Sequence, residues 1–390
     1  MRRLAVIFAL IISVFSVYGQ KNDNITYNFF TGYGLVAKTN DFMDGENVDS
    51  TKINRVTSFA FEISKQVDGS KSWHYLHRKM RYGVGLYHGI FNYSKNINNP
   101  WGLYAFMGFM PIENERWQLR TDIALGISGI WDGFSSENNY NIAVSTPIEA
   151  YIHARINLLY NINPNWHLGI SGAFIHFSNG CIKRPNKGIN IITPLVNLAY
   201  NPKQINKVGE GALPKYEKTF QRLITFYDAK KGIYADYTKS LNHYTNDTIR
   251  DTVRDVHWIF GLQYREMYTL SRSHSIGWGM DLSYNTSIHR TYGWQHYTPK
   301  FSDGFDIERF TVSAFFSYEY FINKLSFVVE PIVYLYKPHK TYFTRFAQRI
   351  GLRYQFYKGW YYQLVLRAYG FTRADYIEGG IGYRFQYKRK

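Results

Sequence analysis

Apolar and polar residues alternate along much of this chain. Between 324 and 335, Leu325, Phe327, Val329, Val333 and Leu335 share one face, while Lys324, Ser326 and Glu330 share the other. From 360 to 367, Trp360, Tyr362, Leu364 and Leu366 alternate with Gln363 and Arg367. Ile377, Ile381, Tyr383, Phe385 and Tyr387 do so against Glu378, Arg384 and Gln386, and Ile152, Ala154, Ile156, Leu158 and Tyr160 against His153, Arg155 and Asn157. A period of two belongs to a β-strand whose two faces meet different surroundings. Short turn signals, such as 161–165 (Asn-Ile-Asn-Pro-Asn) and Asn323-Lys324, separate some of these runs. Longer polar stretches, at 38–52, 131–145, 202–214, 238–252 and 290–306, separate others. Tight turns on one side and long loops on the other predict an all-β, antiparallel barrel of about 14 to 16 strands. With no internal repeat or low-complexity tract, a single barrel over 20–390 is expected.

Composition decides what surrounds the barrel. The chain has 35 Tyr, 28 Phe and 9 Trp, and its mean hydropathy is −0.34. Beyond the first residues no apolar run is long enough for a membrane helix. Many aromatics without long apolar runs fit a transmembrane, outer-membrane β-barrel, whose strands show lipid only every second residue. Residues 1–19 read as a signal peptide: Arg2 and Arg3, the apolar run Leu4 to Val17, then Val17-Tyr18-Gly19 before Gln20. The expected location is the outer membrane of a Gram-negative bacterium. The aromatic-rich last strand suits the outer-membrane assembly machinery.

The formal charge of +17 could suit nucleic acid. Export and the barrel pattern direct it instead to anionic lipid, such as the phosphates of lipopolysaccharide. The single cysteine, Cys181, excludes an intramolecular disulfide. His74 and His77 lack further ligands in sequence, so no metal site is expected, and they are placed at a membrane interface.

Residues 176–190 carry the chemistry. His176 and Ser178 are two apart and so project from the same face of a strand. A serine hydroxyl becomes a nucleophile when an imidazole takes its proton. Trp166, Leu168, Ile170 and Phe174 share their parity, which places both residues on the lipid-facing wall. Counting from the turn before Trp166, about 9 to 11 residues cross the hydrocarbon, so the pair reaches the outer interface. The returning strand carries Asn190 with Ile192, Val196 and Leu198 on its lipid-facing parity. Hairpin pairing can set Asn190 beside His176, where it could orient the imidazole.

The run His176-x-Ser178-Asn179, then Pro185-Asn186-x-Gly188-Ile189, resembles the active-site segment of the lipid A 3-O-deacylase (PagL-type) family. The specific likeness covers about 165–200. The ending, Ala374 to Glu378 and Gly382 to Phe385, is similar to that of long family members. The resemblance implies an outer-membrane serine esterase that removes a fatty-acyl chain from lipid A without a cofactor. It makes Ser178 the nucleophile and His176 the base. Asn179, Gly180, Cys181 and Asn186 become oxyanion or substrate-binding candidates. Lys183, Arg184 and Lys187 either hold lipid phosphates or are solvated loop charge.

Where that family has Glu, this chain has Asn190. Outer-membrane phospholipase A resembles the chain at this point, with His-x-Ser-Asn-Gly followed by Asn at the same offset. Two alternatives therefore stand: a phospholipase A, which would bring calcium, and a non-catalytic pore or structural barrel.

Overall fold

The computed structural model describes residues 24–234, 254–288, 305, 307–337, 345–371 and 373–388. The signal-peptide segment lies outside the described residues, as do 238–252 and all of 290–306 except Phe305. Sixteen strands are present among the described residues, and no helix there is long and apolar enough to cross a membrane.

The strands close into two antiparallel barrels of eight. The single barrel expected from the sequence is therefore replaced by two. Strand alternation is a local signal, and it carries no information about which strand closes on which. The first barrel contains β1 (Ile25–Val36), β2 (Arg55–Gln66), β3 (Met80–Phe91) and β4 (Trp101–Glu113). It continues with β5 (Trp117–Gly129), β6 (Ile148–Asn161), β7 (Trp166–Ser178) and β8 (Ile189–Tyr200), and closes by pairing β1 with β8. The second contains β9 (Thr219–Tyr234), β10 (Arg254–Thr269), β11 (His274–Asn285) and β12 (Phe310–Ile322). It continues with β13 (Leu325–Tyr336), β14 (Phe346–Tyr357), β15 (Trp360–Tyr369) and β16 (Arg373–Lys388), and closes by pairing β16 with β9. The polar stretch expected as a loop at 202–214 is the connection from β8 to β9.

Each wall follows the sequence pattern. On β6, Ile152, Ile156, Leu158 and Tyr160 are exposed, while His153, Arg155 and Asn157 are buried. On β15, Trp360, Tyr362 and Leu364 are exposed, while Gln363 and Arg367 are buried. The exposed apolar positions form the outward surface of an outer-membrane barrel.

The inward positions are charged and paired. In the first barrel, Arg155 from β6 bonds Glu62 of β2 at 2.5 Å and Asp122 of β5 at 3.0 Å. Arg81 joins Asp122 at 2.6 Å, and the Tyr104 hydroxyl donates to Glu62 at 2.9 Å. In the second barrel, Arg349 of β14 reaches Asp281, Glu330 and Glu378 on β11, β13 and β16. Arg265 and Arg353 also bond Glu330. Eight-stranded barrels have interiors just wide enough for side chains to fill. Here the filling is a lattice of ion pairs in which Asp122, Glu330 and Glu378 each meet more than one arginine, which offsets the cost of burying charge.

The connections sort by end. In the first barrel, 114–116 and 162–165 are tight turns, whereas 37–54, 130–147 and 179–188 are long and share the opposite end. Asn163 caps its turn by accepting the N–H groups of Asn165 and Trp166 at 2.9 and 2.8 Å. In the second barrel, Asn323-Lys324 and Lys358-Gly359 link neighbouring strands directly. Positive φ angles at Asn323, Lys358 and Gly359 are what such two-residue hairpins require. The connection 67–79 is a longer exception at the tight-turn end of the first barrel. It holds His74 and His77, both buried, and the N–H groups of Asp68 and Gly69 bond His74 Nδ1.

Candidate active site

β7 carries His176 and Ser178. Trp166, Leu168, Ile170 and Phe174 are exposed on its outer face, and His176 and Ser178 continue that face half-buried at the long-loop end. Between them, Phe177 points inward and is fully buried. Its ring meets Trp131 at 4.9 Å, Tyr151 at 5.5 Å and Tyr87 at 5.9 Å between centroids. Aromatic packing of this kind fixes the end of the strand and so the direction of its neighbours.

β8 returns antiparallel, with His176 directly opposite Asn190. The side chains meet, with His176 Nδ1 and Asn190 Oδ1 2.6 Å apart. An amide oxygen only accepts, so Nδ1 carries the proton and Nε2 keeps its lone pair. That is the tautomer a general base needs. Gly188 completes the fit. Its φ is +73°, and a Cβ there would lie 3.0 Å from His176 Cε1, so a side chain would be both strained and crowded.

Ser178 Oγ accepts two hydrogen bonds. Asn186 Nδ2 donates at 2.8 Å and the Gly180 N–H at 3.1 Å. The second is a two-residue serine turn, and Gly180 adopts φ +62° within it. With both lone pairs of Oγ engaged, its own proton must be donated elsewhere.

Neighbouring loops hold this segment. The Ala37 N–H bonds Asn190 O at 2.8 Å, and Thr39 Oγ1 donates to Gly188 O at 2.9 Å. Lys187 N–H reaches Ile142 O at 3.1 Å, and Ser145 Oγ donates to Lys183 O at 3.0 Å. Asn179 is buried, with its Nδ2 donating to Ser145 Oγ at 2.9 Å and Thr146 Oγ1 at 3.4 Å. Its side chain thus braces two loops, and Ser178 receives its donors from Asn186 and Gly180 instead. Cys181 is buried in a left-handed conformation, with Arg184 Nη2 3.6 Å from its sulfur. Lys183 and Arg184 are half-buried, whereas Lys187 is exposed.

The hairpin pairing expected from the sequence brings Asn190 to His176, and Asn186 meets Ser178 Oγ. The sequence pattern misses Phe177, Thr39, Ser145 and Thr146, which act through contacts between separate connections and leave no spacing signal.

The fold defines an all-β protein of the outer-membrane barrel type, and the β7–β8 hairpin carries the pairs His176–Asn190 and Ser178–Asn186. Residues 57–201 match the family described as lipid A 3-O-deacylase (PagL), and residues 233–387 match the acyloxyacyl hydrolase C-terminal domain. The chain belongs to the PagL family, in a form that carries this C-terminal domain. Among solved structures it is similar to the outer-membrane enzyme PagL, at 14% identity and TM-score 0.28, covering 44% of this chain and 97% of that one. It is also similar to the NanC porin (8% identity, TM-score 0.16, 93% of this chain and 100% of that one) and the KdgM porin (8%, 0.17, 92% and 99%). No curated protein matches the chain. The family assignment rests on the two family matches, and His176, Ser178 and Asn190 lie within the first of them.

Proposed function

We propose that this protein is an outer-membrane esterase that removes a fatty-acyl chain from lipid A, with Ser178 as nucleophile, His176 as general base and Asn190 as the residue that orients His176. The carrying observation is the 2.6 Å bond from His176 Nδ1 to Asn190 Oδ1, on the outward face of the strand that bears Ser178. Ser178 Oγ attacks the acyl carbonyl carbon while its proton passes to His176 Nε2. The carbonyl π electrons move onto oxygen, forming a tetrahedral oxyanion. Asn186 Nδ2 and the Gly180 N–H donate to that oxygen, a role supported by their reach to the adjoining Oγ. Collapse breaks the ester C–O bond, and the sugar oxygen leaves with the proton from His176. Water then attacks the acyl-serine by the same route and releases the fatty acid. None of these steps calls for a cofactor.

Exposure of Lys187 in the β7–β8 connection supports a part for it in holding a lipid phosphate, and Lys183 and Arg184, both half-buried, take a weaker share. The substrate partner is lipopolysaccharide in the outer membrane, reached by export and the outer-membrane assembly machinery. The test is expression beside Ser178→Ala in a Gram-negative host, with lipid A read by mass spectrometry. Loss of one hydroxyacyl chain only with Ser178 intact is the expected result. Unchanged lipid A, with both proteins folded in the membrane, would sink the reading.

One observation keeps a second reading in view. The His176 partner is an amide, as in the phospholipase-like pattern, and not a carboxylate. A phospholipase A would hydrolyse phospholipid vesicles, and chelation of calcium would abolish that activity.

A further inference from the structure

The second barrel has a cavity of its own. It lies at the end where β9, β11 and β13 finish and β12 and β16 begin, opposite the tight turns. Its walls include Lys231, Lys337, Asp375 and the tyrosines Tyr334, Tyr369 and Tyr376. Two ammonium groups thus face it with one carboxylate, and Lys231 already pairs with that carboxylate. The remaining polar lining, Asn285, Ser287 and Thr311, adds an amide and two hydroxyls. The lining is therefore rich in donors and carries an excess positive charge.

The groups are also fixed in place. Arg367, held by Glu378 at 2.9 Å, donates to the Tyr334 hydroxyl at 3.0 Å. The Tyr334 and Tyr369 hydroxyls lie 3.3 Å apart. Lys337 Nζ sits 4.7 and 5.6 Å from the centroids of these two rings. Burial pulls the Lys337 ammonium down to about 8. Asp375 offsets one of the two ammonium groups, so the lining keeps one net positive charge, which favours an entering anion. The enclosed space, about 20 Å³, is of a size for one small group.

We propose that this cavity, lined by Lys231, Lys337 and Tyr369, is a binding site for a phosphate group. That group is either the phosphomonoester of a lipid headgroup or free inorganic phosphate. Lysines act here as point charges for phosphate, with hydroxyls completing the oxygen contacts. Every residue involved belongs to β9–β16 and its connections, so the site stands independently of the Ser178 reading.

The full chain in detergent micelles would be titrated calorimetrically with inorganic phosphate and, separately, with micellar phosphatidic acid. Lys337→Met, Tyr369→Phe and Lys337→Arg would follow the same titrations, with the electrophoretic shift on heating as a check of folding. Binding that falls at least tenfold in Lys337→Met, falls in Tyr369→Phe and persists in Lys337→Arg is the expected result. Preference for phosphatidic acid would identify a lipid headgroup as the source, and preference for inorganic phosphate the free ion. No binding of either probe, or unchanged binding by folded Lys337→Met, would overturn the proposal. Should Lys337→Met not fold, Tyr369→Phe decides, and unchanged binding in it overturns the proposal equally. Ser178→Ala should bind phosphate like the parent, so loss of esterase activity and loss of this site separate cleanly.

Discussion

An amide oxygen and a carboxylate oxygen hold an imidazole N–H in the same geometry, but only the carboxylate offers charge to an imidazolium. In the proposed mechanism Asn190 therefore supplies orientation to His176 without the electrostatic part. Under the proposed mechanism, Asn190→Ala should lower kcat at least about tenfold with little change in KM, because it releases the base and leaves binding intact. Asn190→Asp should retain activity, since it restores the acceptor and adds charge. Steady-state assays on purified lipid A would separate the two, and an Asn190→Ala enzyme with full kcat would remove Asn190 from the mechanism. Asn186 supplies the side-chain donor on Ser178 Oγ. Its replacement by Ala should cost about 10²- to 10³-fold in kcat, as loss of one oxyanion donor does. A smaller effect would leave Asn186 a bracing residue only.

At the scale of elements, the β7–β8 hairpin is where sequence and structure agree most closely. Parity alone assigns His176, Ser178 and Asn190 to the outward face, and the register of the two strands sets His176 opposite Asn190. Side-chain period in a strand is two, so one correct apolar residue fixes the face of all the others. The bracing of the hairpin was not legible. Phe177 reads as one more aromatic, and its contact with Trp131 depends on a neighbouring connection. Asn179, a candidate for binding substrate, is instead buried against Ser145 and Thr146 because those loops fold over it. Phe177→Ala should leave a cavity and cost about 3 to 5 kcal/mol. Urea unfolding of the protein in detergent, followed by tryptophan fluorescence, would measure that loss. An unchanged midpoint would show that Phe177 does not anchor the strand.

For the whole molecule, the strand number was legible and the closure was not. Alternation yields strands one at a time, whereas closure depends on the pairings of β1 with β8 and of β16 with β9. Each barrel satisfies its own edges, which a sheet in lipid requires. The ion-pair lattices filling both interiors argue against a conducting channel. Liposomes carrying the purified protein should therefore stay impermeable to small sugars in a swelling assay. Swelling at porin-like rates would favour the pore reading over this one.

Under the proposed function, the outward placement of Ser178 on β7 also sets how substrate would be met. A nucleophile on the outer wall of a barrel collects lipid by sideways travel within one leaflet, so the relevant concentration is a surface density. Velocity in mixed micelles should follow the mole fraction of lipid A. Diluting it with inert detergent at constant bulk concentration should slow turnover in proportion, while diluting the whole suspension with micelle solution of the same composition should leave the rate per enzyme unchanged.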